Sequence, residues 1–443
     1  MNIQLSEHFT YGKLLRFTYP SIVMMVFTSI YGVVDGIFVS NFAGKTAFAA
    51  INLIMPYIMM FGTLGIMVGT GGTALVSMTM GAGDHKQANA IFSQLVYVCI
   101  GFGVILSAAG IALLRPVSIA LGAEGQMIDD CVLYGRLTLP ALTALILQMA
   151  FQSFCVAAEK PNLGLGLTIA AGVTNMVLDG LFVGVFHWGL AGAAIATALS
   201  QCVGGLVPLL YFARPNPSPL RLVKARPEAK VLLRTCTNGS SELMSNLSMS
   251  LVSMLYNLQL MKFSGEDGVA AYGVIMYVNF IFIAVFLGYA MGSAPIIGFH
   301  HGAQNEGELK SLFRKSMVIN GVFSVTLTLA AELLAKPLSS IFVSYDRSLF
   351  DMTVRAVMIY SLSFLVCGFN IFGSSLFTAL NNGLISAAIS FLRTLVCQVA
   401  AVMILPIFLG LDGIWFSVLV AELVAVGLTL FCFVKYRKRY RYA

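Results

Sequence analysis

The sequence predicts an all-α integral membrane protein: twelve transmembrane helices in two pseudo-symmetric six-helix lobes. Three observations carry this. The first is composition: of 443 residues, 58% are hydrophobic and only 10% charged, with a mean hydropathy of +0.88, whereas soluble domains carry roughly 25% charged residues. The second is a set of twelve apolar stretches, each near or above the ~20 residues a helix needs to cross the hydrocarbon core. The third is an internal repeat at a constant offset of 221 residues. Gly81 and Ala82 recur as Gly302 and Ala303, Phe92 as Phe313, and Leu113, Pro116 and Ser118 as Leu334, Pro337 and Ser339. Asp130 recurs as Asp351, Ala158 as Ala379, and Gly189, Leu190 and Gly192 as Gly410, Leu411 and Gly413. Duplicated bundles of this kind are the mark of secondary transporters, in which two halves rock about a central site.

The stretches run 14–40, 49–80, 88–113, 132–157, 163–186 and 190–213 in the first half. In the second they run 236–263, 269–299, 316–342, 355–380, 384–408 and 414–434. The longer ones must tilt, bend or extend past the bilayer. Met1 to Gly12 is short and polar, and the first apolar stretch has no small-residue cleavage site at its end, so helix one is expected to remain in the mature chain. In helix two, Gly65, Gly69 and Thr73 have the small-residue spacing that lets another helix pack closely. Glu159-Lys160-Pro161 closes helix four, and His187-Trp188-Gly189 forms a tight turn between helices five and six. The connection Arg214–Arg234 holds Pro215, Pro217, Pro219 and Pro227 with six basic residues, and proline there prevents helix continuation. The expected organisation is therefore a first lobe over 1–213, a linker over 214–234, a second lobe over 235–434 and a basic tail over 435–443.

Charge sets the orientation. With loops assigned alternately, 18 of the 26 Lys and Arg fall on the side that carries both termini, and Arg393 lies within a helix. The positive-inside rule makes both termini cytoplasmic. The tail Lys435-Tyr-Arg-Lys-Arg-Tyr-Arg441 reads as a topological anchor, with recognition of an anionic lipid as the alternative. The chain is expected to be a multi-pass membrane protein and a monomer with no nucleic-acid partner.

Several lookalikes carry no chemistry. Eight cysteines stand singly, without Cys-x-x-Cys, so neither a disulfide framework nor a zinc site is indicated. Gly44-Lys45-Thr46 lacks the earlier glycine of a phosphate loop, since Val39 stands there. His300-His301 has no carboxylate or cysteine at ligand spacing and reads as a solvated helix terminus. All five histidines fall in loops, tails or helix ends, so no catalytic constellation at membrane depth is expected and the chain does not read as an enzyme.

Carboxylates within membrane helices cost about 2.5–3.5 kcal/mol even on lenient insertion scales, so each needs an explanation. Glu332 has Lys336 four residues on, which reads as a local ion pair. Glu422 occupies the repeat position of Gln201, and it and Glu242 read equally as packing or as functional groups. Asp35 and Asp179 differ in their company. Asn175 and Asp179 are four apart on one helix face, as are Ala193 and Thr197 on the next helix. Carboxylate, amide and hydroxyl groups at similar depth suit a hard cation or a proton-accepting carboxylate. The duplicated positions in the second half are Tyr256, Val396, Ala400, Ile414 and Val418, so the acidic cluster belongs to one lobe.

At these residues the chain resembles the prokaryotic branch of the multidrug and toxic compound extrusion (MATE) family. The likeness rests on Val34-Asp35-Gly36-Ile37-Phe38-Val39, Gly69-x-Gly71-Gly72 with Gly81-Ala-Gly83, Asn175-Met-Val-Leu-Asp179 and Gly189-Leu-Ala-Gly192-Ala-Ala-Ile-Ala-Thr197, in order and along nearly the whole chain. It implies export of cationic, amphipathic compounds across a bacterial inner membrane in exchange for H⁺ or Na⁺, with no other cofactor. It also implies a cation site made by Asp35, Asn175, Asp179, the backbone of Ala193, and Thr197, and a bend of helix one at Pro20, where a backbone hydrogen bond is missing. Phe364–Thr378 in helix ten is uncharged, which departs from members with an acidic group there. Met55, Tyr57, Met59, Glu242, Tyr256 and Met276 are the expected cavity residues, since Met and aromatic side chains suit aromatic cations. The rival reading is a lipid-linked sugar flippase of the same fold superfamily, for which Arg393 is the one intramembrane basic residue.

Overall fold

The computed structural model describes residues 3–42, 45–344 and 346–443, with side chains described outside 33–48. The side chains of Asp35 and of Gly44-Lys45-Thr46 therefore lie outside the described residues. Every regular element among the described residues is helical. The first lobe comprises α1 (Tyr11–Phe42), α2 (Lys45–Gly81) and α3 (His85–Ala120), then α4 (Gln126–Ala157), α5 (Pro161–Val185) and α6 (Gly189–Ala213). The segment Ala229–Gly302 is 74 residues long. As one straight helix it would measure about 110 Å against a core of about 30 Å. Gly265 breaks it with φ 62° and ψ −147°, values open to glycine alone, giving α7 (229–264) and α8 (266–302). The second lobe continues with α9 (Glu306–Val343), α10 (Arg347–Ser361 and Phe364–Ala379, bent by 47°), α11 (Gly383–Leu409) and α12 (Leu411–Tyr440).

The repeat is visible in the caps. Asp84 accepts a hydrogen bond from the Gln87 amide at 2.9 Å and starts α3. Its repeat partner Asn305 accepts from the Glu308 amide at 3.1 Å and starts α9. Such caps satisfy amides that have no partner inside the helix. Two expected boundaries move. Helix α7 begins at Ala229 rather than 236, because Pro227 is the last proline able to block it. The basic tail is helical to Tyr440, where Arg437, Lys438 and Arg439 interact favourably with the C-terminal end of the dipole.

The lobes meet through backbone. On Gly81 a Cβ would collide with the Phe299 carbonyl, and on Gly302 with that of Met78; these two glycines are repeat equivalents. A Cβ on Gly71 would strike Thr235 and Gly239 of α7, and one on Gly239 would strike Met67 of α2. The two-fold copy of that contact is Gly292 of α8 against Thr18 of α1. Asn381, in the corner before α11, adds a hydrogen bond to the Ala74 carbonyl at 3.1 Å. All these contacts lie in the half of the bundle that carries both termini, here the terminal face, and they close it. Towards the opposite face, α7 exposes Leu247, Leu251, Met254, Leu258 and Met261 along one stripe.

Packing this tight tolerates no added methyl groups. Gly239→Val is expected to lower the thermal unfolding midpoint in detergent by the equivalent of about 1–3 kcal/mol or more. Gly166→Ala, where a Cβ meets nothing within 4 Å, should not lower it. Equal behaviour of the two would contradict a backbone-to-backbone seam.

Candidate functional site

The lobes diverge chemically at α5 and its repeat, α11. In α5, Asn175 is fully buried and Asp179 nearly so. Gly172, one turn earlier, leaves room for Phe27 and Tyr31 of α1, and the Tyr31 hydroxyl donates to Asn175 Oδ1 at 2.8 Å. Asp35 follows Tyr31 by four residues on α1, with its side chain outside the described residues. No Lys or Arg occurs in α1 beyond Arg16, nor anywhere in α5 or α6.

Directly after Asp179 the helix widens into a π-helical turn, Gly180–Val185, a feature frequent at functional sites because it re-aims side chains and loosens backbone carbonyls. The chain then reverses through His187 and Gly189, both at φ 54°, and the Trp188 amide donates to the Phe182 carbonyl at 2.9 Å. Gly192 packs directly on Phe182. Asp179 and Thr197 stand eight residues on either side of this turn, so a rise of ~1.5 Å per residue sets both about 12 Å deep. Ala193 is buried, Thr197 is half-buried, and Ser200 Oγ donates to the Thr197 carbonyl at 2.8 Å. Carboxylate, amide, hydroxyl and carbonyl oxygens fit a Na⁺ ion or a titrating carboxylate. Among the described residues no three His, Cys, Asp or Glu side chains gather as a transition-metal site.

The second lobe holds its charge differently. Helix α11 has its own π-helical turn at Leu392–Cys397. From there Arg393 Nε donates to both carboxylate oxygens of Glu422, at 2.8 and 3.0 Å. Asn370 Nδ2 donates to Glu422 Oε2 at 2.7 Å, and Thr429 Oγ1 donates to Asn370 Oδ1 at 2.8 Å. The side chains of Arg393 and Glu422 are 12% and 3% exposed. Sequence reasoning noticed both residues but not that they pair. Their repeat positions in the first lobe are the neutral Gly172 and Gln201.

Other expectations change. Glu332 accepts from Ser361 Oγ at 2.6 Å rather than pairing with Lys336. Serine from α10 reaches it across the helix interface, and Lys336 points to the exposed side. His300 is not solvated: it is 2% exposed, under Phe9. Of the expected cavity residues, Tyr57 donates to the Gly110 carbonyl at 3.2 Å inside the first lobe. Tyr256 is buried and stacks on Tyr272 with centroids 5.1 Å apart. Met55 and Met276 pack partly buried against the cores of their lobes. Met59 is exposed and Glu242 half-buried. An open depression of about 550 Å³ lies on a neighbouring face of α7, lined by Ser250, Ser253, Met254, Asn257, Leu258 and Met261 with Val269 of α8. Its signal was the exposed 3–4 spacing of apolar residues beside Tyr256.

The MatE family profile matches twice, over residues 20–181 and 243–404. The chain belongs to the MATE family. The double match restates the duplication, and the chain is a multi-pass membrane transporter, not an enzyme. It is 22% identical to the multidrug export protein MepA of Staphylococcus aureus (strain MRSA252), covering 93% of this chain and 91% of that one. It superposes on a multidrug resistance MATE transporter in an outward-facing conformation with a TM-score of 0.91, at 22% identity, covering 98% and 97% of the two chains. A MATE structure in a bent conformation matches with a TM-score of 0.88, at 22% identity, covering 97% and 95%.

Removing one partner from a buried ion pair strands the other. Arg393→Met is expected to cost about 3–5 kcal/mol of stability, and Arg393→Met with Glu422→Met to recover most of it. Thermal unfolding of both variants checks this, and an undestabilised single variant would contradict the pairing.

Proposed function

We propose that the transporter exports small amphipathic cations to the outside in exchange for inward-moving H⁺ or Na⁺, with the coupling site in the first lobe. The observation that carries this reading is the buried Asn175–Asp179 face of α5, which abuts Tyr31 of α1 and opens onto a π-helical turn. No basic side chain in α1 beyond Arg16, α5 or α6 offers neutralisation there. By the positive-inside rule the terminal face is cytoplasmic, so the glycine seam closes the cytoplasmic side.

In this conformation H⁺ or Na⁺ reaches Asp35 and Asp179 from outside. Asn175, Thr197 and the carbonyls near Ala193 would supply the remaining oxygens to Na⁺. Neutralising the carboxylates weakens their hold on a cationic substrate, and α1 yields at Pro20, where the helix lacks one hydrogen bond. Substrate leaves outward. After reorientation the ion leaves to the cytoplasm and the carboxylates reload with substrate. Competition of two cations for one cluster couples them, because a ligand shifts a conformational equilibrium only by its differential affinity for the two states. The methionine and leucine lining of the α7 depression supports amphipathic substrates. A flippase for a pyrophosphate-linked lipid is disfavoured, since Arg393 is already bound to Glu422.

Asp35→Asn and Asp179→Asn are each expected to abolish dye efflux from proteoliposomes under an imposed pH or sodium gradient, at unchanged expression. The gradient that drives wild-type efflux identifies the ion. Undiminished, gradient-driven efflux in both variants would sink the reading.

A further inference from the structure

The eight residues before α1 lie across both lobes. Leu5 and Phe9 are fully buried. On the first lobe, the Leu5 amide donates to Glu159 Oε1 at 2.7 Å; Glu159 sits at the α4–α5 corner with φ 60°, and burial raises its carboxyl above the usual range. On the second lobe, the Phe9 amide donates to Glu308 Oε1 at 2.9 Å, and His8 Nδ1 lies 2.6 Å from Glu308 Oε2. Lys315 Nζ donates to the Phe9 carbonyl. The Phe9 ring meets Phe17 and His300 edge-on, with centroids 6.0 and 6.4 Å away.

The interlobe linker makes the two-fold copy of this arrangement. Its amides at Val223 and Glu228 donate to Ser93 Oγ and Gln94 Oε1 of α3, both at 2.8 Å. Gln94 and Lys315 are repeat equivalents. The lead-in to each lobe is thus laid on the third helix of the other. The strap is held on the two lobes by a few polar contacts and two buried side chains.

We propose that residues 3–10 are a latch that holds the terminal face shut and must let go of one lobe before the transporter opens to that side. Opening there draws Glu159 away from Glu308 and Lys315, and the strap cannot span both as they part. The inference rests on the alternating-access reading above. It needs neither the identity of the ion nor that of the substrate.

The test is the distance between spin labels at Lys86→Cys on α3 and Lys310→Cys on α9, both exposed, in a Cys236→Ser background reconstituted in lipid nanodiscs. Two variants release the strap: Glu308→Gln with Lys315→Met, and deletion of residues 2–6, which alters neither lobe. Each is expected to raise the longer-distance population at least about threefold, without substrate or gradient. Glu124→Gln, at an exposed position in the α3–α4 connection away from the strap, should leave it unchanged. A wild-type distribution in whichever strap variant remains monodisperse would overturn the latch. Because no ion or drug enters the readout, the latch can fail while the antiport reading stands, and lost efflux in the Asp variants bears only on the latter.

Discussion

Backbone contact between α2, α7 and α8 is the constraint on which the rest depends. At Gly81, Gly302, Gly71 and Gly239 the neighbouring main chain occupies the space a side chain would need. The lobes therefore touch in their terminal halves largely through main chain. A contact of this kind is suited to rocking: it holds closely in one state and offers few rotamer-rich side chains to entangle when it parts. Gly81 and Gly71 recur as Gly302 and Gly292, with Thr18 at the position of Gly239, so the seam is nearly two-fold.

Symmetry at the seam makes the asymmetry of the sites informative. Both lobes keep a π-helical turn in the fifth helix, yet they answer the burial of charge in opposite ways. The second lobe gives Glu422 a guanidinium Nε shared between both carboxylate oxygens, an amide and, through Asn370, a hydroxyl. That network is self-contained and has no need of an external cation. The first lobe buries Asp179 one turn from Asn175, which accepts from Tyr31, in helices without Lys or Arg at that depth. One lobe thus has its counter-charge built in, whereas α5 and α6 of the other contain no Lys or Arg.

The sequence made legible whatever depends on composition or on short spacing. Twelve crossings followed from apolar length, the two lobes from the 221-residue offset, and the Asn175–Asp179 face from a separation of four on one helix. Contacts between distant segments left no such trace. Tyr31 meets Asn175 across 144 residues, and Arg393 meets Glu422 across 29, so neither pairing follows from helical periodicity. The π-helical turns escaped because no residue type demands one. The polar start of the chain read only as the absence of a signal peptide, whereas Leu5 and Phe9 are among its most buried side chains. Tyr256, expected in the cavity by its chemistry, is buried and stacks on Tyr272, while Asn257 and Met254 on other faces of α7 line an open depression.

The central claim is that substrate and coupling ion compete for the same carboxylates in the first lobe. Equilibrium binding of a fluorescent aromatic monocation to the purified transporter, titrated against pH and against Na⁺ in the absence of any gradient, tests it most directly. The account predicts that affinity falls as one of the two cations rises, and that Asp179→Asn binds weakly and loses this dependence. Binding that ignores both cations and survives Asp179→Asn unchanged would contradict it.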